Sequence, residues 1–393
     1  MHLKESLFKD RATDKIVTKE KSNLTLSTQD VVKMDVLNLV GRRQPDSIKK
    51  CSMLLTRKKL YYTTKVKKME SNTLMVEYKA YIALEWLQLR SYHEQRDDST
   101  LIRYFIEIFK YPKRVKLQFE CLEKYEAWLA HLSKWAIRTD FNEKYRLSKM
   151  IGKAADCSVY LIKDIRNSKS YTCRKFDRYR LSTTGRLAPL IEQINTLRQL
   201  KGHPNIIELH EVHETVDSVY LVTEYLKGDF VIQPKSQHDI ADIRIIAKSL
   251  LEALKATHES GIGFVELKAQ DILFKYKGLP ISQNTIKFDD IGVLKYQDAT
   301  EKFGRLDESV GYNPASYFPK TSNNCFESKS DVFALGIILY NAYTGSTLSY
   351  NPFNRSELSL DHENKFSNAM QLCQNFPDER KLISKDIFAR FAC

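Results

Sequence analysis

Gly261-Ile-Gly-Phe-Val-Glu-Leu-Lys-Ala-Gln-Asp-Ile-Leu-Phe274 decides how this 393-residue chain is to be read. Apolar residues anchor the run, and Glu266, Lys268 and Asp271 stand between them. Upstream, Ile243, Ile246, Ala247, Leu250, Leu251, Leu254 and His258 recur at helical spacing and predict one apolar helix face. On that face His258 is expected in the core or at a cap. Downstream, after a short hairpin, comes Ile286-Lys-Phe-Asp-Asp-Ile-Gly292. The two segments together carry four carboxylates, at Glu266, Asp271, Asp289 and Asp290, and two ammonium groups, at Lys268 and Lys287.

This layout resembles the catalytic loop and metal-binding turn of protein kinases, H-R-D-L-K-P-E-N-I-L followed by D-F-G. Phe264-Val-Glu266 stands at H-R-D and Asp271 at the Asn. The resemblance implies Glu266 in place of the proton-accepting Asp, Lys268 as the phosphate contact, and Asp290 with Asp271 as magnesium ligands. Glu266 is one methylene longer than the family residue, and a misplacement of about 1 Å costs roughly a hundredfold in rate. Phe264 and Ile291 keep apolar surface where the family stacks a spine, and burying one such side chain is worth about 1.5–3 kcal/mol.

Further landmarks follow in the family's order over about residues 145–345. Gly152-Lys-Ala-Ala-Asp-Cys-Ser-Val159 resembles the glycine-rich loop that covers phosphates, with Gly152 and Val159 retained and Ala154 and Cys157 at other glycine positions. Arg174 occupies the place of the phosphate-binding Lys, and Gln193 that of its Glu partner. Lys175 points to the opposite face of a strand and does not substitute. Val219 to Leu226 resembles the hinge strand, with Thr223 as gatekeeper and Glu224 to Leu226 offering backbone groups to adenine. The resemblance puts Leu273 where the family keeps its adenine-flanking residue. Lys320 replaces the Glu that ends the activation segment, and Asp331 anchors a buried helix. The style is similar to calcium/calmodulin-dependent Ser/Thr kinases, with a shortened C-lobe.

The net charge of +13 is uneven, because residues 1–140 hold 28 Lys and Arg against 18 Asp and Glu. Eight basic residues and no acid lie between Lys49 and Lys68. Such a stretch attracts an anionic surface, acidic protein or phospholipid, or is a solvated strand face. Residues 1–30 are polar and predict a disordered arm. From Val31, short β-branched and aromatic segments alternate, and Leu122, Tyr125, Trp128, Leu129, Leu132, Trp135 and Ala136 then predict a helix. Strands closed by a helix with a central Trp resemble a pleckstrin-homology domain. The family's headgroup-binding positions fall at Cys51 and near Leu39, with Lys49, Lys50, Arg42 and Arg43 close by. Arg138-Thr-Asp-Phe-Asn-Glu143 reads as a hinge.

The expected fold is therefore α+β. A polar arm (1–30) leads into a pleckstrin-homology-like β-barrel with a C-terminal helix (31–138), then a bilobal kinase-like domain with a truncated C-lobe (139–393). The longest apolar run, Val332 to Tyr343, is too short to span a bilayer. Seven scattered cysteines without a C-x-x-C pair fit a reducing compartment. The compartment expected is cytoplasmic, with cytoskeletal or ciliary assembly as the specific setting.

Three functions stay open. The preferred one is a pseudokinase scaffold that meets protein partners in a larger assembly, without specific nucleic-acid binding. The second is a weak ATP-dependent Ser/Thr kinase recruited by its first domain. The third is an ATP-binding switch without phosphotransfer. ATP and Mg²⁺ are the cofactors the resemblance implies, and the changed letters count against both.

Overall fold

Alternation of apolar and polar residues builds a long antiparallel ladder in the first half of the chain. The computed structural model describes residues 6–8, 16–41, 47–69, 72–95, 101–110, 113–153, 157–233, 237–260, 267–289 and 328–345. These fall into two compact units. The first is Met1–Gly185 with His210–Thr223, and the second is Arg186–Leu209 with Glu224–Cys393.

In the first unit, β1 (Thr18–Ser27), β2 (Val31–Val40), β3 (Ile48–Thr56), β4 (Lys59–Lys68) and β5 (Thr73–Ala83) precede β6 (Gln88–Gln95), β7 (Ile102–Lys110) and β8 (Lys113–Phe119). Strands β2 to β5 form one antiparallel meander and β6 to β8 another, joined where Leu39 faces Leu117. Helix α1 (Leu122–Leu132) follows and buries Tyr125, Trp128, Leu129 and Leu132, but it ends before Trp135 and Ala136, to which the spacing extends it. The Trp128 Nε1–H donates to Asp35 Oδ2 at 2.8 Å, and Lys124 Nζ lies 3.0 Å from the same carboxylate. Burial opposes the charge of Asp35, but these bonds outweigh it and hold the carboxyl below its ordinary range.

Two expectations give way here. Residues 18–27 are not part of a free arm but form β1, paired with β5 from Thr18↔Tyr81 to Ser27↔Thr73. Nor is the expected β-barrel closed. The outer edge of β5 is taken by β1, and that of β6 by β9 (Ile137–Arg138), so among the described residues the sheet runs on as an open ladder of fourteen strands. Strand β9 pairs in parallel with β6 on one side and with β13 (Leu209–Glu214) on the other. Beyond it lie β14 (Ser218–Glu224), β12 (Ser170–Asp177), β11 (Cys157–Asp164) and β10 (Tyr145–Lys153).

The segment read as a hinge thus starts in a strand in the middle of a sheet, at Arg138, and runs into the short helix α2 (Phe141–Lys144). Its side chains explain why. Buried Arg138 donates from Nε to Asp140 Oδ1 at 2.8 Å, from Nη2 to Asp140 Oδ2, from Nη2 to Ser91 Oγ at 2.7 Å and from Nη1 to Ser133 Oγ at 3.1 Å. Its Nη1 also lies 3.5 Å from Glu211, which accepts from Lys144 Nζ at 2.6 Å and Tyr145 Oη at 3.0 Å. His213, fully buried, bonds Glu211 Oε2 through Nε2 at 2.9 Å and meets Phe141 and Tyr145 edge-on.

The second unit contains α4 (Leu187–Gln199), α5 (Ile240–Glu259) and α6 (Ser328–Thr344), with the hairpin β15 (Ile272–Phe274) and β16 (Ile286–Phe288). Helix α3 (Arg178–Thr183) belongs to the first unit. The Asp239 side chain caps α5 by accepting from the Asp242 N–H at 2.8 Å, and the predicted apolar face is buried from Ile243 to Thr257. No helix among the described residues is long and apolar enough to cross a membrane.

The Arg138 cluster makes stability sensitive to acid. Burial opposes the charges of Asp140 and Glu211, but Arg138 outweighs it and holds both below the carboxylate range, Glu211 well below. Burial pushes His213 down more than Glu211 raises it. Each group binds protons more readily unfolded than folded, so its stabilisation is present above its unfolded pKa and lost as pH falls. Thermal denaturation should show Tm falling as pH drops below about 6.5, the ordinary value for histidine. His213→Gln should flatten that upper limb in part, because His131 and His203 are shifted the same way.

Candidate active site

The residues singled out from sequence fall into both units. In the first, cross-strand pairing sets Val159 opposite Gly152 on one side and Arg174 on the other. The three therefore share one face of the sheet. Arg174 is only 6% exposed. Lys175 lies on the opposite face, its Nζ 5.9 Å from the centre of the Tyr220 ring, as strand alternation requires. That face belongs to a core of Phe141, Tyr145, Ile162, Tyr171, Cys173, Tyr220 and Val222. Burial, the main cause, raises the Cys173 thiol far above the ordinary cysteine range. Thr223 is buried in β14. At Gly152 an added Cβ would meet, among the described residues, only Val159, at 3.6 Å, an ordinary contact.

In the second unit, Lys268 precedes a single 3-10 turn, Ala269–Asp271, that leads into β15. The Asp271 N–H donates to the Lys268 carbonyl at 3.1 Å, and the Asp271 carbonyl accepts from the Asp289 N–H at 2.7 Å. The turn is thereby tied to the residue before Asp290. Leu273 faces Lys287 across the hairpin and forms a bridge with Phe230. The Lys227 and Gly228 N–H groups donate to the carbonyls of Lys275 and Phe274, which lays the segment after Leu226 along β15. So Glu224, Leu226, Lys268, Asp271 and Leu273 belong to one local assembly, while Gln193 stands on α4. Glu266 and Asp290, with Phe264, Ala154 and Lys320, lie outside the described residues.

Sequence reasoning gave Glu224 only a backbone role. Its carboxylate in fact accepts from Lys287 Nζ at 2.6 Å and from the Glu208 N–H at 2.9 Å. Lys287, 5% exposed, also donates to the Ile206 carbonyl at 2.9 Å. The available signal was a Lys inside the apolar strand Ile-Lys-Phe, because a buried ammonium requires a partner. His258 Nε2 lies 2.8 Å from Asp331 Oδ2, which ties α5 to α6 and leaves His258 a structural role.

The donor chemistry can be set against an adenine nucleotide with its magnesium. Arg174 stands where the resemblance expects a Lys and carries the same charge on a planar fork. Among the described residues no group of three or more His, Cys, Asp or Glu side chains is placed to hold a metal ion. Of the two carboxylates assigned to magnesium, only Asp271 is described. The described groups match the nucleotide incompletely, and no catalytic step follows from them.

Residues 145–388 match the protein kinase domain, and the chain belongs to that family. Among curated proteins it is 29% identical over 221 residues to CBL-interacting serine/threonine-protein kinase 15 of Arabidopsis thaliana, covering 55% of this chain and 49% of that one. It is 25% identical over 250 residues to CBL-interacting serine/threonine-protein kinase 20 of the same plant, covering 62% and 54%. Over 249 residues it is 25% identical to CBL-interacting protein kinase 5 of Oryza sativa subsp. japonica, covering 62% and 51%. The chain spans about half the length of the curated relatives it matches.

Gly228 provides a local test of the assembly. A Cβ there would lie 2.4 Å from the Phe274 carbonyl oxygen, so backbone has to move. Gly228→Ala should destabilise the chain by about 1–3 kcal/mol, the usual cost of overpacking, measured as a lowered denaturant midpoint at unchanged m-value.

Proposed function

We propose that this chain is a pseudokinase: a kinase-domain protein acting as a scaffold, with little or no phosphotransfer of its own. The observation that carries this reading is Arg174. It is buried in β12 at the position where the family places a Lys, and the only nearby ammonium in sequence, Lys175, lies on the other face of the strand. A guanidinium is longer and bulkier than an ammonium and carries its charge in a plane. Gln193, at the position of the partnering Glu, is neutral. Glu266 for Asp and Asp271 for Asn lead the same way on sequence grounds.

The first module is read as pleckstrin-homology-like. Two meanders joined through β2 and β8, with α1 and its buried Trp128 following, support that reading. It would serve as a docking element, for protein first and for an anionic surface second, through the exposed Lys49, Lys50, Lys65, Lys67 and Lys68. The names of the relatives, CBL-interacting kinases, support a protein partner for this chain as well. The proposed setting is a cytoplasmic assembly, cytoskeletal or ciliary.

One observation favours a weakly active kinase instead. Gly152 leaves a space that nothing among its described neighbours requires, as a phosphate-covering strand would. Thermal-shift titration with ATP, with and without Mg²⁺, decides between the readings when paired with radiolabelled phosphate incorporation. A scaffold should show no Mg²⁺-dependent rise in Tm and no incorporated label. A Tm rise of several degrees with label abolished by Asp290→Ala would establish the active kinase. A rise without label would establish the ATP-binding switch.

A further inference from the structure

Glu214 ends β13 with its side chain fully buried. Four donors converge on its carboxylate. Ser6 Oγ donates to Oε2 at 2.5 Å and the Leu7 N–H to Oε1 at 2.8 Å. Arg178 Nε donates to Oε1 at 3.1 Å and Gln88 Nε2 to Oε2 at 3.3 Å. The next residue, Phe8, is 2% exposed and lies flat on Trp86, ring centres 5.3 Å apart and 6° from parallel. Trp86 holds a φ of +60°, a left-handed conformation that bulky residues rarely adopt. A strained aromatic wall and a buried anion together make a built site for the segment Ser6-Leu7-Phe8.

The segment lies in no helix or strand, so leaving the site breaks no ladder of backbone bonds. Ser6 itself is partly exposed. Of the four donors, only its hydroxyl can be converted into an anion by a single group transfer. We propose that Ser6 is a phosphorylation site, and that its modification expels residues 6–8 from the Glu214 and Trp86 site. In the transfer, Ser6 Oγ attacks the γ-phosphorus of ATP bound to a protein kinase. The new O–P bond forms as the bond to ADP breaks, and the hydroxyl proton leaves to a base of that kinase. This inference does not depend on whether the present chain transfers phosphate.

The product has lost the donor that Glu214 accepted and carries close to two negative charges at neutral pH. It would stand against a buried carboxylate at hydrogen-bond distance. Arg178 is the only cation among the four donors, and its guanidinium already serves Glu214 and the Val216 carbonyl. One cation does not offset a carboxylate and a phosphate in a desolvated site. Expulsion withdraws Phe8 from Trp86, so the modification is read out as an uncovered aromatic surface.

The test uses the intact chain and follows amide hydrogen exchange at Leu7 and Phe8, with circular dichroism to confirm folding. Ser6→Asp and Ser6→Asn have nearly the same shape and differ in charge. Phosphoserine installed at position 6 and Ser6→Asp should speed exchange at Leu7 by about tenfold or more, the signature of local opening. Ser6→Asn should stay within about threefold of the parent. Adding Glu214→Gln to Ser6→Asp removes the repulsion and should restore protection. Equal effects of Asp and Asn, or unchanged exchange with phosphoserine, would overturn the expulsion. Phosphate mapping by mass spectrometry on the chain recovered from its own cells should find Ser6 modified; finding it unmodified would overturn the assignment.

Discussion

Arg138 is the residue on which the first unit depends. Its guanidinium is buried with Asp140 and faces Glu211, while Ser91 and Ser133 accept its remaining donors. A two-residue strand contributes few backbone bonds, so β9 is held as much by this side chain as by its ladders. The Ile137 and Thr139 N–H groups donate to Leu87 and Leu89 on one side, and Arg138 faces His213 on the other. A slip of one residue would turn the guanidinium to the opposite face, away from the buried Glu211. A buried ion pair adds little net stability over an apolar replacement, but removing one partner is costly. The pair therefore fixes register more than it adds stability.

From this joint follows the continuity between the N-terminal strands and the kinase strands. A module on a flexible tether would move independently of β13. Here the last strand of the N-terminal part is also a neighbour of β13, and Gln88, Arg178 and Ser6 all reach Glu214 at the end of that strand. The same added strands explain why the sheet stays open. β1 and β9 satisfy the edges of β5 and β6, leaving those edges unavailable to each other. Open edges invite pairing with other chains. Lys19 and Lys21 on β1 and Lys149 and Lys153 on β10 place charge on the two end strands.

How far these features were legible in the sequence depends on their physical origin. Helices α1 and α5 announced themselves because their burial is periodic, and Trp128 and Ile243 fell where the spacing put them. The kinase-like strands were legible through the order of their landmarks. Strand β1 was not, because Leu24 and Leu26 are its only large apolar residues and the rest of its order comes from pairing with β5. The Arg138 segment looked like a hinge because charge in a short stretch usually means solvent. What marks it as buried is distant: the Glu211 and His213 side chains, which local pattern cannot connect to residue 138. Glu224 and Lys287 were missed for the same reason, since their bond spans 63 positions of the chain.

Gly152 and Gly228 separate the demands of folding from those of a ligand. At Gly228 the chain's own carbonyl forbids a side chain, so packing alone accounts for the residue. At Gly152 nothing among its described neighbours does, and glycine within a strand costs about 0.5–1 kcal/mol relative to alanine. Its presence therefore points away from folding and toward room for something else on the face it shares with Val159 and Arg174. Yet the cost is small enough to persist without a use. The change at Arg174 is of another kind, because it alters the geometry of a buried positive charge on that face. Weighed together, a tolerated glycine is the weaker witness, and the buried guanidinium is the observation on which the proposed reading rests.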